Sequence, residues 1–259
     1  MDPRLAPDRS GAGVRRGVPA GADWVPATVF FQSMLPDAIE TLRRSGRFDR
    51  VAVAVSLLFA SYVKGVTRPV VRRYCLDGRS IDPSAGNVRV RFDNGEIRAV
   101  AFASLPEDDG DGPDALPELV RRLLDENLAP AVSAVHAAAQ LSTKALWGTV
   151  ASALVTALRA VSWSQDDPAS LVDTAREVLD ADPRLRGLCA VGALPFSGRE
   201  WLIHRRVTCC LRYRVRPLDR CAGCSRLSPQ EQEARTLTMI ARFARGRRPQ
   251  RCQDLGCSV

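Results

Sequence analysis

The sequence predicts an α+β protein that is predominantly helical, with a β-hairpin ahead of a helical bundle and a short C-terminal strand and loop region that carries a cysteine cluster. Three observations carry that prediction. Apolar residues recur at helical spacing through most of the chain, one segment alternates apolar and polar residues up to an Asn-Gly pair, and four cysteines fall within sixteen residues near the C-terminal end. With 259 residues, 46% of them hydrophobic, the chain can bury a real core as one large domain or two small ones.

Residues 1–26 are rich in Gly, Pro and Arg, lack apolar periodicity, and predict a disordered leader. They also lack the apolar run of a secretory signal, which points to a reducing compartment where structural disulfides are rare. Folded sequence is expected over 27–105, as N-terminal helices and a hairpin, and over 116–245, as a helical region; a flexible basic tail follows over 246–259. Ile39 and Leu42 among charges predict a short helix from Pro36 to Arg47, and Arg50 to Val63 a more buried one. Gly65 and Pro69 are expected to break or kink that helix before a second piece from Val70 to Leu76, which Gly78 stops. The apolar stretch from Val51 to Val63 falls short of the about 20 residues that cross a bilayer, so no transmembrane segment is expected.

Val88, Val90 and Phe92 alternate with polar residues, and Asn94-Gly95 is a favoured two-residue turn, so this segment is a hairpin. The acidic stretch from Pro106 to Pro117 separates it from the helical region. There, Leu119, Leu123 and Leu124 mark a helix within Leu116 to Gln140 that Pro130 should kink or split. Ser142 is placed to cap a core helix from Thr143 to Trp163, and Leu171, Val172, Ala175 and Val178 line one face of a helix from Pro168 to Ala181. Trp201 to Val215 reads as a strand in which the cysteine motif begins. Ser228, Pro229 and Glu231 open a last helix over Gln230 to Arg245.

The net charge is +8 and the isoelectric point near 9.4. From Arg205 to Arg251, thirteen Arg stand against Asp219, Glu231 and Glu233, a balance of +10, so the rest of the chain sums to −2. A nucleic-acid surface would interleave aromatics among these cations to stack bases, but only Tyr213 and Phe243 lie there, so nucleic acid is not expected as a partner. Arg205, Arg206, Arg212, Arg214 and Arg216 are instead candidates for docking an anionic substrate or an acidic electron donor.

Cys209, Cys210, Cys221 and Cys224 form the pattern C-C-x10-C-x2-C. The second half, CAGC, is a metal knuckle in which Gly223 frees the backbone to curl around an ion. A zinc site usually joins two such knuckles, which makes the adjacent pair informative. Neighbours in an extended chain point to opposite faces, so two vicinal thiolates reach one ion only across a local bend, a demand that a binuclear cluster relaxes. Structural zinc in a basic module and a binuclear iron–sulfur cluster both remain open from the residues alone. Cys252 and Cys257, spaced C-x4-C in the tail, make a loose pair, and Cys75 and Cys189 are expected as buried small hydrophobes. His204 is expected on the strand surface, His136 packed or solvated, and Trp147 in the core.

The motif in its context, RRVTCCLRYRVRPLDRCAGC, resembles that of the FhuF family of ferric-siderophore reductases. Glu126 to Leu154, with the Leu146-Trp147-Gly148 element, is similar to the family's helical region, and the resemblance spans residues 50 to 245. It implies a [2Fe-2S] cluster bound by the four cysteines, with no catalytic residue beyond the cluster. It further implies single-electron reduction of a ferric siderophore in the cytoplasm, or peripherally at the inner face of the membrane, with a ferredoxin or flavoprotein as donor. Hard oxygen donors hold Fe(III) far better than Fe(II), so one electron releases the metal. The alternatives are a siderophore-binding or redox-sensing accessory protein and a zinc-stabilised basic adaptor.

Overall fold

The computed structural model describes residues 24–45, 48, 50–93, 95–105, 116–215 and 219–246. It begins with strand β1 (Trp24–Pro26), helix α1 (Ala27–Val29), a π-helical turn Phe30–Met34 and helix α2 (Leu35–Arg44). The last residues of the expected leader are therefore ordered: Trp24 to Pro26 pair antiparallel with Arg91 to Arg89. Three residues carry no periodicity, so only their pairing partner makes them a strand.

Helix α3 (Val51–Asp77) runs unbroken through Gly65 and Pro69, against the expected break. An interior proline costs about 3 kcal/mol. Tyr62, Val63, Val66, Val70 and Val71 flank it fully buried, and each such side chain contributes about 1.5–3 kcal/mol, so packing outweighs the lost bond. Gly65 serves close packing rather than a break, because a Cβ there would lie 2.5 Å from Val100 Cγ2. Gly78 does end the helix, in the left-handed region at φ 64, with its N–H donating to the Tyr74 carbonyl at 3.1 Å and the Arg79 N–H to the Arg73 carbonyl at 3.4 Å.

The expected hairpin is formed by β2 (Val88–Asp93) and β3 (Glu96–Phe102), and β1 completes a sheet of order β1-β2-β3. Of its turn pair, Asn94 lies outside the described residues, as does most of the acidic stretch after it, and Gly95 takes φ 79. Helices α4 (Leu116–Leu123) and α5 (Ala129–Ala139) are joined by the π-helical turn Leu124–Leu128, so Pro130 falls in the first turn of α5, where its missing N–H costs nothing. The Tyr62 hydroxyl donates to Asn127 Oδ1 at 2.6 Å, and Asn127 Nδ2 donates to the Pro83 carbonyl at 2.8 Å, fastening α3 to that turn.

Helix α6 (Thr143–Ser162) starts after Ser142, whose side chain makes no capping bond. Helices α3 and α6 pack along each other. Both are long and apolar enough to cross a membrane by length and composition, and 61% and 72% of their most apolar windows are buried inside the protein, as in core helices. Helix α7 (Val172–Asp180) is shorter than expected at its start. The Pro168 carbonyl, which a longer helix would use, accepts from Ser162 Oγ at 2.8 Å and from the Leu202 N–H at 3.0 Å.

Strands β4 (Cys189–Phe196) and β5 (Arg199–Arg206) form a second hairpin, and α8 (Pro229–Gly246) follows. β4, reading CAVGALPF, escapes sequence analysis because it is apolar without alternation and contains Gly and Pro. The start of α8 is a capping box, with the Glu231 N–H donating to Ser228 Oγ at 3.2 Å and the Ser228 N–H to Glu231 Oε2 at 2.8 Å. One core joins α2 to α7 and both sheets; a smaller one, Trp163, Trp201 and Ile240 with Phe243, holds β5 and α8 to the end of α6. With 58% of the described residues helical and two small antiparallel sheets, the fold is mainly helical α+β, as the sequence predicts.

Candidate metal centre

β5 ends at Arg206, so the cysteine motif follows the strand instead of starting within it. Its pairing partner begins at Cys189, directly opposite Arg206, and beyond that point no β4 residue is left to pair. The chain then turns: Leu211 adopts φ 59 and Arg212–Arg214 form one 3₁₀ turn. The vicinal pair thus sits at the local bend that two adjacent thiols need to share a site.

The second half of the motif is brought alongside by the backbone. The Arg206 N–H donates to the Gly223 carbonyl at 3.0 Å, and the Cys224 N–H closes the knuckle on the Cys221 carbonyl at 3.0 Å. A Cβ on Gly223 would lie 2.9 Å from the His204 carbonyl, so glycine is required here for close approach to β5. Arg235 of α8 anchors the loop ahead of Cys221, donating to Asp219 Oδ2 at 2.8 Å and the Arg220 carbonyl at 2.9 Å.

The side chains of Cys210 and Cys221 are hydrogen-bonded, and Cys209 and Cys221 each feel the charge of both Cys210 and Cys224. Cys224 is buried and the other three are half-buried. The Leu211 N–H donates to Cys209 Sγ at 3.4 Å. Donation from the Cys221 thiol favours a thiolate on Cys210 against the cost of burial, helped by Arg206, the Arg212 N–H and Lys64. The same contact, together with burial, keeps the proton on Cys221, and burial pushes the Cys209 thiol up. Metal binding requires those protons to leave, so the nearby cations favour the loaded state. Among the described residues, no three His, Cys, Asp or Glu side chains are close enough to hold one ion as they stand. An all-sulfur donor set of four cysteines fits a centre whose two irons each take two thiolates.

Arg206 does not belong to a docking surface, which corrects the sequence expectation. It is 8% exposed; Nη2 donates to Thr149 Oγ1 at 3.0 Å and Nε to the Thr208 carbonyl at 3.2 Å. Strand alternation is the cause, since it turns Arg205 to solvent and Arg206 inward. Arg212 and Arg214 are exposed, the latter with its guanidinium 5.8 Å from the Tyr213 ring, and Arg216 lies outside the described residues, as do Cys252 and Cys257. His204 is also not a surface residue. Its ring faces Ser152 Oγ at 3.2 Å and Arg159 Nη1 at 3.4 Å, and burial, with the Arg159 and Arg206 charges, lowers its pKa to about 3, so it is neutral. Cys189 is buried, as expected, whereas Cys75 is only half-buried against the core; burial pushes their thiols to about 12 and about 11. His136 is exposed and bonded through Nδ1 to the Leu141 carbonyl at 2.7 Å. Trp147 packs on the core with Arg184 at 5.1 Å from its ring.

Sequence reasoning missed the floor of the site. Ser56 Oγ on α3 donates to the Cys210 carbonyl at 3.2 Å, and Gly148 on α6 lets Thr208 sit against the helix: a Cβ there would overlap Thr208 Oγ1 and lie 3.0 Å from its Cβ and Cγ2. Gly148, Thr149 and Ser152, small residues in an otherwise aliphatic helix, were the available signal.

A family model described as ferric iron reductase FhuF-like transporter matches residues 56–192, more than half of the chain. The chain belongs to the FhuF-like family. No curated protein matches it. The matched span holds α3 from Ser56 onward, α6 and the start of β4, that is, the helical floor of the site, while the cysteine motif lies beyond it. At the level of the family, the role is that of a ferric-siderophore reductase.

Proposed function

We propose that the protein holds one [2Fe-2S] cluster on Cys209, Cys210, Cys221 and Cys224 and uses it, in the cytoplasm, to reduce a ferric siderophore by single electrons. The observation that carries this is the C-C-x10-C-x2-C set in a FhuF-like chain, its two halves borne on backbone segments hydrogen-bonded to each other and its Cys210 and Cys221 side chains interacting. When bound, such a cluster supplies a one-electron carrier. The residues around it have separable tasks. The N–H of Leu211 and the N–H of Arg212 face sulfur and favour its anionic form. Arg206 places buried positive charge beside Cys210 and Cys221, and it meets no carboxylate among the described residues. A buried cation of this kind calls for an anion, which metal-bound thiolates would provide.

The test is the visible spectrum of anaerobically purified protein with its iron, zinc and acid-labile sulfide content, then stopped-flow oxidation of the reduced protein by a ferric siderophore. Two irons and two sulfides per chain, and reoxidation with release of Fe(II), are expected. Colourless protein with one zinc after attempted reconstitution would overturn the proposal.

A further inference from the structure

Helix α3 carries Lys64, Arg68 and Arg72 at four-residue spacing, all three exposed. Like charges at this spacing repel and destabilise a helix. Elsewhere the fold avoids that: Arg43 and Arg44 pair with Glu40, Arg121 with Glu118 and Asp125, Arg122 with Glu126, and Arg176 with Asp173. Lys64, Arg68 and Arg72 form no ion pair with any described residue. Lys64 instead feels the charges of Arg212, Arg68 and Arg206, and that of Cys210. This unbalanced row therefore begins beside the cysteine site, at a helix already tied to it through Ser56 and Cys210.

Lys64 to Arg72 covers eight residue steps, about 12 Å of helix, and the same four-residue row continues to Leu76, an exposed leucine at 39%. One small chelate cannot contact such a length. A flat row of cations ending in an apolar contact fits the small, electrostatically steered interfaces of redox proteins. We infer that this face of α3 docks an acidic one-electron donor protein, with Lys64 the end nearest the metal centre. The inference rests on the reductase function proposed above. The step is one electron: the donor is oxidised by one, the cluster on the four cysteines is reduced by one, and no proton or group is transferred.

The test uses the cluster-loaded full-length protein and, as donor, a pre-reduced acidic plant-type [2Fe-2S] ferredoxin, with transfer followed by stopped-flow at low and high ionic strength. In Arg68→Gln/Arg72→Gln, which leaves Lys64 beside the cysteines untouched, the low-salt bimolecular rate should fall by about fivefold or more and lose much of its salt dependence. Reduction by dithionite and single-turnover oxidation by a ferric siderophore should match wild type. Arg43→Gln/Arg44→Gln, on α2, should transfer at the wild-type rate. The inference is overturned by an unchanged ferredoxin rate in the Arg68→Gln/Arg72→Gln variant, by an equal loss in the α2 variant, by no transfer to wild type, or by a loss confined to the siderophore step. Failure of the underlying reductase function appears separately, as wild-type protein that binds no cluster or whose reduced form a ferric siderophore does not reoxidise.

Discussion

Replacing Gly148 with alanine sets two effects of opposite sign against each other. In the middle of a helix the change should gain about 1 kcal/mol of intrinsic propensity. In α6 the added Cβ would overlap Thr208 Oγ1 and stand 3.0 Å from Thr208 Cβ and Cγ2. Thr208 has little freedom to withdraw, because its carbonyl accepts from Arg206 Nε at 3.2 Å and the preceding Val207 N–H donates to the Leu188 carbonyl at 3.1 Å. Overpacking against a fixed neighbour costs about 1–3 kcal/mol and here falls at the upper end, for a net loss of about 1–2 kcal/mol. At about 2–4 °C per kcal/mol for a chain of this size, the melting temperature should drop by roughly 3–6 °C. Since Thr208 precedes Cys209, iron retention should fall with it. Thr208→Ala removes the overlapping atoms, and Oγ1 is buried with no hydrogen-bond partner, so its deletion alone should cost little. The double variant should recover most of the loss. Thermal unfolding by circular dichroism, with iron per chain, on wild type, both single variants and the double variant measures this. A Gly148→Ala protein as stable as wild type, or a double variant no better than Gly148→Ala, would refute the packing account.

Cys209→Ser and Cys221→Ser should each lose the visible chromophore, while Cys75→Ala keeps it; full iron and sulfide in Cys221→Ser would sink the ligand assignment. Arg206→Met removes a buried cation beside Cys210 and Cys221, so the more negative reduced cluster loses support. The midpoint potential should fall by on the order of 50–100 mV, and a potential equal to or above wild type in a redox titration would count against that role. Tyr62→Phe deletes the 2.6 Å bond to buried Asn127 and should cost about 1–2 kcal/mol in urea unfolding with an unchanged m-value. A stability equal to wild type would mean that this buried bond contributes nothing net.

How far the sequence could be read depended on whether a feature is local. The hairpin of β2 and β3, the Gly78 stop, the Ser228 and Glu231 cap and the adjacent cysteine pair are each specified within a few neighbouring residues, by alternation, left-handed geometry, capping chemistry or ligand type. Such signals survive folding because the partner group is close in the chain. β1, β4, the continuity of α3 through Pro69 and the inward turn of Arg206 and His204 depend on residues far away. Pro69 breaks a helix in isolation, and only the buried face around it reverses that outcome.

The sequence by itself determined the fold class, through composition and periodicity, and named the family and the four candidate ligands through the resemblance of its cysteine motif, all of them properties of the chain alone. Only the tertiary structure decided which cations stand where. It buries Arg206 behind the cysteines, leaves Arg205, Arg212 and Arg214 outside, and lays the Lys64 row of α3 beside Cys210. Charge acts through distance and burial, and a linear sequence fixes neither between residues about 150 positions apart.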